Sequence, residues 1–525
     1  MDIYEKIMAL AKRRGILYKS YSIYGGEAGF YDYGPIGSIM KNNIENEWRN
    51  FYVMKEKFYE ISTPSITPYH VLKASGHVDE FIDKIATCRK CGKSFKVEEL
   101  KDGKCPICGG EVEKGEMNLM FETYIGAKKK GKAFLRPETA QGIFVNFPFL
   151  YEFFRKKIPF GVVQIGKGFR NEVSPRQGIL RLREFSMAEA EIFFHPQNKK
   201  HENFDEFKDK KMLLLPAGMD EMEVKLGEAV EKGIIGNEAL AYYMAITLEF
   251  LMKVGVGGDK IRFRQHDKDE LAHYAHECWD AEVFLQRFGW VECVGIADRA
   301  AHDLMAHMQA TGMNMYASTE RKIKKIKINP KMEKIGKVFK EKAMKVKEAL
   351  EHAEPGEKIE IELDGEKIEI GNEFFELEEI EEEEKYIPHV IEPSYGIDRI
   401  FYALLEHNYK EIEKEGEKYV LLSLPSSIAA IKAGVFPLVA KDGLPEIAKE
   451  IEKELRKNKI MAFYDEKGSI GRRYARMDEI GTPFCITVDY QTKDDDTVTI
   501  RFRDTTEQIR IDRKDVATWI KERVN

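Results

Sequence analysis

Arg170, Glu172, Arg181, Arg183, Phe185, Glu189 and Glu191 fall within residues 166–194. Read with a period of two, they aim cations and carboxylates at one place. Arg170 and Glu172 share a face of a first expected strand. A turn from Val173 to Leu180, with Pro175 and Gly178, returns the chain. The second strand then presents Arg181, Arg183, Phe185, Met187, Glu189 and Glu191 on one face, and Ser186, Ala188, Ala190 and Ile192 on the other. Arginine forks suit phosphate oxygens and an aromatic face suits a base. Carboxylates about 7 Å apart along a strand suit an ammonium group or a metal. A nucleotide plus an amine fits all three features; a solvated hairpin with cross-strand ion pairs is the plainer alternative.

A second chemical grouping is Cys88-Arg-Lys-Cys91 with Cys105-Pro-Ile-Cys108, two CxxC pairs whose intervening segment contains Gly92 and Gly103. This is the spacing of a zinc ribbon or knuckle. Four thiolates leave no open coordination position, so the expected Zn²⁺ is structural; free thiols or a redox pair are the alternatives. Cys278, Cys293 and Cys485 have no ligand spacing and are expected as small buried apolar residues.

The string Phe169-Arg-Asn-Glu172, a loop, then Arg181-Leu-Arg-Glu-Phe-Ser-Met-Ala-Glu189 resembles motif 2 of class II aminoacyl-tRNA synthetases, in the form found in glycyl-tRNA synthetases. Ile387-Pro-His-Val-Ile-Glu-Pro-Ser-Tyr-Gly-Ile-Asp-Arg-Ile400 resembles motif 3. Helix 37–51, strand 58–62 and Pro64 resemble motif 1, the dimer element of that class. The resemblance implies an α+β fold: an antiparallel-sheet catalytic core carrying a zinc-ribbon insertion, followed by a C-terminal α/β anticodon-binding domain. It implies an ATP-dependent ligase that forms glycyl-adenylate and passes glycine to the 3′ end of tRNA(Gly). A ligase for proline, threonine or histidine, and a non-catalytic RNA-binding or accessory module, are the rival readings. Retention of both Arg170 and Arg399 disfavours the second.

Residue by residue, the resemblance implies that Arg170 holds the α-phosphate, Glu172 accepts from the adenine amino group, Phe185 stacks on the base and Arg399 clamps the γ-phosphate. Arg170, Arg399 and Glu292 are the implied catalytic set, with Glu292 near a bridging Mg²⁺. Asn171, Leu180, Arg181, Leu182, Arg183, Glu184, Cys293, Gly396, Ile397 and Asp398 complete the implied ATP site. Asp398 stands where relatives often carry a small residue, and an acid beside phosphate must point away or act through a metal. The implied glycine site comprises Lys96, Glu138, Phe185, Ser186, Met187, Ala188, Glu189, Glu392, Pro393, Ser394, Tyr395 and Gly396. Its steric closeness rejects larger amino acids, so no editing domain is needed.

The elements that position these groups follow from pattern. A helix is expected from Ile3 to Arg14, before a glycine- and tyrosine-rich stretch, 24–34. Pro137 pre-sets a helix start and Glu138 would sit in its first turn. Ile261 to His266 alternates as a strand, His273 to His276 reads as helical, and Trp290 to Gly295 reads as a strand leading into a helix begun by Ala297-Asp298-Arg299. Glu292, the one acid in that apolar strand, needs a partner if buried, and Arg299 or Arg262 could supply it. Ser394 can cap the motif 3 helix, and Gly396 lets a ligand approach the backbone.

The 525 residues suffice for two to four domains. The expected layout is a catalytic domain over 1–414, interrupted at 86–112 by the zinc ribbon, at 197–260 by a Lys- and Glu-rich insertion and at 317–386 by a charged one. An anticodon-binding domain follows over 415–525, where Arg472-Arg-Tyr-Ala-Arg476 is a candidate RNA contact or else a solvated helix. The last insertion is basic and then acidic, a pattern of solvated faces or mobile ends. Hydrophobic residues make up 43% and charged ones 33%, and no apolar run reaches membrane-spanning length. The start of the chain lacks a signal-peptide pattern, so a cytoplasmic location is expected, and the motif 1 resemblance implies a homodimer. The net charge of −7 argues against coating nucleic acid by bulk charge. RNA contacts must be local, with Lys128-Lys-Lys130, Arg155-Lys-Lys157 and Arg321 to Lys327 as basic clusters that are otherwise ordinary solvated faces.

Overall fold

The computed structural model describes every residue except 128–129, 174, 176, 268–274, 357, 364, 415–416 and 525. Lys128 and Lys129 of the basic cluster, Ser174 and Arg176 of the expected turn, His273 and Tyr274 of the expected helix, and the boundary at 414/415 therefore lie wholly or partly outside the described residues. The chain divides into two compact units, 1–314 with 388–525, and 315–387.

The first unit is organised by a nine-stranded sheet: β1 Tyr59–Glu60, β2 Phe160–Phe169, β3 Glu184–Phe194, β4 Lys211–Leu215, β5 Met222–Lys225, β6 Ile261–Gln265, β7 Glu277–Leu285, β8 Gly289–Ala300 and β9 His389–Gly396. Their spatial order is β5-β4-β6-β7-β8-β9-β3-β2-β1. Only β1 with β2 and β4 with β6 are parallel. β3 is buried on both faces from Ser186 to Phe194. Ala188, Ala190 and Ile192 join the main core, while Met187, Glu189 and Glu191 face the other way.

That core is closed by helices α1 Ile3–Arg13, α2 Pro35–Arg49, α4 Glu238–Lys253 and α6 Ile397–Asn408; the short α3 Ala140–Phe144 and α5 His302–Thr311 belong to the opposite, site-bearing face. α1 starts in a capping box, with Asp2 accepting from the Glu5 backbone and Glu5 from the Asp2 backbone. α4 is buried along 12 of its 16 residues and is N-capped by Asn237. Residues 197–260, the expected Lys- and Glu-rich insertion, contribute β4, β5 and the core helix α4. Lys and Glu dominate the loops, but the apolar run 239–251 dominates the packing.

Several local expectations change. β2 ends at Phe169 and β3 begins at Glu184, so Arg170, Glu172, Arg181 and Arg183 lie in the connecting loop and strand alternation does not govern them. Ala297-Asp298-Arg299 extends β8 and does not start a helix; Ala300, at φ +48°, makes the turn and α5 starts at His302. Glu138 precedes α3 and does not sit in its first turn. Ser394 caps no helix, because α6 starts after Gly396 and the Ser394 hydroxyl donates to Glu189 Oε1 at 2.9 Å.

The cysteine segment carries a three-stranded sheet of Ser94–Lys96, Ile82–Cys88 and Val112–Asn118. The C-terminal part of this unit has a five-stranded sheet over Ala433–Pro437, Ala462–Tyr464, Phe484–Val488, Thr497–Phe502 and Gln508–Asp512, with its own core against helices Leu444–Lys457 and Val516–Val524. Within the candidate RNA stretch, Arg473 is buried and donates to the Pro437 and Leu438 carbonyls, and Arg476 pairs with Asp465 at 2.6 Å. Arg472 is exposed.

The second unit pairs Ala317–Pro330 with Phe375–Tyr386 and Lys358–Leu363 with Glu366–Gly371, around a small core that includes Ile335, Val346 and Leu350. The charge segregation has a structural cause: the basic strand runs antiparallel to the acidic one, and Lys324 meets Glu379 at 2.5 Å. Among the described residues, no helix is long and apolar enough to cross a membrane.

Candidate active site

A cavity of about 280 Å³ opens on the sheet face away from the main core. One end is cationic and aromatic. Arg170 lies between two rings, its guanidinium 5.2 Å from Phe81 and 5.3 Å from Phe185. Phe185 packs over Gly168, its cross-strand neighbour, where any Cβ would come within 2.7 Å of the ring. Glu172 accepts from Arg181 Nε at 2.7 Å. Arg399, in the first turn of α6, donates to the Glu292 carbonyl at 2.7 Å and the Leu180 carbonyl at 3.2 Å, and its guanidinium also meets Glu292 Oε2 at 3.1 Å.

Glu292 does not take the alternative of a buried ion pair with Arg299 or Arg262: its side chain is 50% exposed and its partner is Arg399. The strand carries it to the cavity mouth. Arg399 holds its carboxyl below the usual carboxylate range. Asp398 resolves its own apparent conflict by turning to structural donors, the Ser186 backbone N–H at 2.6 Å and the Tyr33 hydroxyl.

The other end is a buried cage of acids. Glu189 accepts from the Thr139 backbone N–H at 2.6 Å, from the Thr139 hydroxyl and from Ser394. Glu392 accepts from Arg299 Nη1 at 2.8 Å. Glu138 accepts from Gln141 at 3.0 Å and lies 3.4 Å from His77 Nε2 and 3.7 Å from Arg299. Arg299, fully buried, forks onto Asp303 at 2.8 and 2.9 Å. Gln141 bridges Glu138, Asp303 and His307.

Burial pushes all these carboxyls up, and their partners then separate them. His77 and Arg299 outweigh burial at Glu138 and hold it below the usual range. Burial and the charge of Glu138 raise Glu189. Glu392 is pushed up to about 8 by burial, with Arg299 opposing and Glu189 and Glu138 adding.

Of the residues expected around the two ligands, Arg170, Glu172, Leu180, Arg181, Leu182, Phe185, Glu292, Cys293, Asp398 and Arg399 line the cavity together with Glu138, Ser186, Met187, Glu189, Glu392, Ser394 and Gly396. Others lie elsewhere. Ala188, Tyr395 and Ile397 are in the core, where the Tyr395 hydroxyl meets those of Tyr52 and Thr247, and Pro393 is buried opposite Ile296. Asn171 donates its backbone N–H to Leu119, Arg183 turns to Glu27 and Ala28, and Glu184 pairs with Lys167. Lys96 pairs with Asp83 at 2.7 Å, away from the cavity lining. Glu191 is buried behind the lining.

Sequence reasoning missed Arg299, Asp303, His77, Gln141 and Thr139 as the frame of the cage, and His266 and Asp280 as cavity groups. Arg262, Arg264 and His266 alternate on β6 and its end, a period-two signal that was legible. His266 Nε2 and Asp280 Oδ2 lie 2.8 Å apart, and Arg264 lies 3.2 Å from the same oxygen. Cys278 lines the cavity although a core role was expected.

The four sulfurs of Cys88, Cys91, Cys105 and Cys108 all lie within 4.8 Å of one another, with 3.5 Å between Cys88 and Cys108 and 3.7 Å between Cys91 and Cys105. These spacings are far too long for disulfides. They match the edge of about 3.8 Å expected of a tetrahedron with Zn–S bonds of about 2.3 Å.

Comparison with known proteins agrees with this layout. A family model of the tRNA synthetase class II core domain (G, H, P, S and T) matches residues 124–408, and an anticodon-binding domain model matches 432–523. The chain is 50% identical to the glycine–tRNA ligase of Methanocaldococcus jannaschii, covering 100% of this chain and 99% of the relative. It is 47% identical to that of Methanothrix thermoacetophila (98% and 95% covered) and 46% identical to that of Thermococcus sibiricus (99% and 99%). The crystal structure of prolyl-tRNA synthetase from Cryptosporidium parvum complexed with halofuginone and AMPPNP aligns with a TM-score of 0.54 over 100% of this chain and 76% of that one. At 11% identity this likeness concerns the fold alone.

Proposed function

The chain belongs to the glycine–tRNA ligase family of class II aminoacyl-tRNA synthetases, and from that membership we propose how its cavity divides the work. It is an aminoacyl-tRNA ligase that joins glycine to tRNA at the expense of ATP. Identity of 45–50% over the whole chain sets aside the readings as another class IIa ligase or a non-catalytic module.

The observation that carries the division is the contrast between the two ends of the cavity. Arg170, Phe185 and Arg399 form the ATP end: the guanidinium groups take the α- and γ-phosphates, and the ring takes the adenine. Glu138, Glu189 and Glu392, framed by Arg299, form the glycine end and receive the ammonium group. The glycine carboxylate is thereby aimed at the α-phosphorus for in-line attack. The adenylate then yields its glycyl group to the terminal ribose of tRNA. The protein supplies positioning and charge, and no side chain forms a covalent intermediate. Met187, Ala297 and Ser394 also line the cavity, and steric exclusion is the means by which it rejects amino acids larger than glycine.

Glu292, ionised and at the cavity mouth, suits Mg²⁺, a cation that binds through one or two carboxylates plus substrate phosphates. When bound there it neutralises triphosphate charge. Cys88, Cys91, Cys105 and Cys108 hold a structural Zn²⁺. Pairing of two copies is supported by the edge strand β1, where exposed Tyr59 packs on Phe153 at 5.3 Å with Phe149 exposed nearby in sequence. A cytoplasmic setting agrees with seven cysteines free of disulfides.

Steady-state ATP–pyrophosphate exchange tests the division. Glu392→Gln is expected to raise the glycine KM at least about tenfold with the ATP KM little changed, as befits loss of one charged hydrogen bond. An unchanged glycine KM would remove the acid cage from glycine recognition.

A further inference from the structure

The register between β3 and β9 aligns Glu189 with Ser394 and Ile192 with Ile391. It therefore sets Glu191 directly opposite Glu392, with both side chains on the site-bearing face. Two carboxylates at facing cross-strand positions repel, and water does not screen this pair, since Glu191 is 0% and Glu392 5% exposed. Glu392 has Arg299. Glu191 has nothing comparable: among the described residues neither of its carboxyl oxygens has a hydrogen-bonding partner.

The charged groups that face Glu191 come from four elements: Glu189 on its own strand, Glu392 on β9, Arg299 on β8 and Asp303 on α5. Among these groups Arg299 is the one cation, and its guanidinium donors are already directed at Asp303 and Glu392; Arg136 adds a guanidinium that faces Glu189 but donates to the Lys167 and Thr63 carbonyls. Glu138, with His77 beside it, adds a further acid facing Glu189 and Glu392. A cluster so weighted cannot ionise completely away from water, and it sheds the excess charge by holding a proton.

We propose that Glu191 is the proton store of the glycine pocket: in the ligand-free enzyme the Glu191–Glu392 pair shares one proton, and arrival of the glycine ammonium group sends that proton to solvent. The inference rests on the assignment of the acid cage to glycine made above. The exchange is balanced: one carboxyl O–H ionises, the proton passes to buffer through the open cavity, and the ammonium group replaces its charge. Glu191 does not touch glycine; it is a positioning residue that keeps Glu392 from ionising until the cation arrives. Burial, reinforced by Glu392, raises the Glu191 carboxyl well above the carboxylate range, in keeping with this role.

Titration calorimetry of glycine binding to the full-length enzyme, in buffers of different ionisation enthalpy near neutral pH, counts the protons. Release of about one proton per glycine supports the store, and no release overturns it. Wild-type affinity for glycine should rise with pH toward about 8, by up to about tenfold per unit. Glu191→Gln relieves the repulsion on Glu392, so its proton release and its pH slope should both fall to less than about half of wild type. A wild-type proton count in this variant overturns the role of Glu191, whereas a merely structural role would alter kcat or stability and leave the count alone. Should Glu191→Gln not fold, Glu191→Leu provides the same comparison, and the wild-type count needs no variant. The two readings fail differently: Glu392→Gln with an unchanged glycine KM removes the pocket, while a raised KM with no wild-type proton release removes only the store.

Discussion

Asp398, in the first turn of α6, accepts the backbone N–H of Ser186 at 2.6 Å. The bond ties the helix that carries Arg399 to the strand that carries Phe185, and the Tyr33 hydroxyl adds the N-terminal segment to the same carboxylate. An acid beside Arg399 is accommodated because its oxygens already accept from these two donors.

Asp398→Ala leaves a buried N–H and a buried hydroxyl without partners. A loss of about 2–4 kcal/mol is expected in denaturant unfolding, with the ATP KM rising more than the glycine KM. Equal effects on both substrates would argue against a role specific to the nucleotide end.

Arg299→Met removes the guanidinium that pairs with Asp303 and Glu392, leaving those acids and Glu138 buried. Breaking such a network costs about 3–5 kcal/mol. Thermal melts together with the glycine KM check this, and a near-neutral variant would mean that the acids simply neutralise.

Arg399→Ala should lower ATP–pyrophosphate exchange about 100-fold or more, the scale of losing a preorganised charge. Because Arg399 is also what depresses the Glu292 carboxyl, that group should titrate at higher pH in the variant, as ¹³C NMR of labelled glutamate would reveal.

Stability should carry the mark of Glu392. Its carboxyl is near 8 when folded against 4.5 in the unfolded chain, so the folded state binds more protons between these values. Its contribution is complete below about pH 4.5 and is lost as pH rises through about 8, at up to about 1.4 kcal/mol per pH unit. Glu138 and Asp303, both depressed, act with the opposite sign and lose their contribution in acid. Melting temperatures should therefore fall as pH rises from about 5 toward about 8 and fall again below about pH 4.5, where Glu138 and Asp303 take up protons, and Glu191→Gln should flatten the alkaline side.

Metal analysis should find one zinc per chain, and its removal by chelator should expose residues 82–118 to protease while the main core keeps its melting transition. Full-length resistance after complete removal would assign the fold of that segment to its own small apolar cluster around Phe95.

Much of the site was legible because its residues sit in dense local strings. Glu189 and Phe185 could be aimed by strand period alone, Glu392 was placed by the motif 3 resemblance, and the CxxC spacing located the four sulfurs. Arg299 was not legible, since pattern placed it in a helix and only the extension of β8 turns it into the cage. Thr139, Gln141 and His77 act through contacts between distant segments, which no period encodes. The core helix within residues 197–260 was not legible for a related reason: charge at the surface outnumbers the apolar residues that bury α4.

The sheet order has a consequence for how the chain is made. β9, completed only at residue 396, lies between β8 and β3 and joins the two halves of the sheet. Until the ribosome has delivered it, β8 and β3 each present an unpaired edge, and the acid cage lacks Glu392. The nascent chain must hold both edges open through the synthesis of the entire 315–387 unit, a window for mispairing that ends only when the last strand inserts.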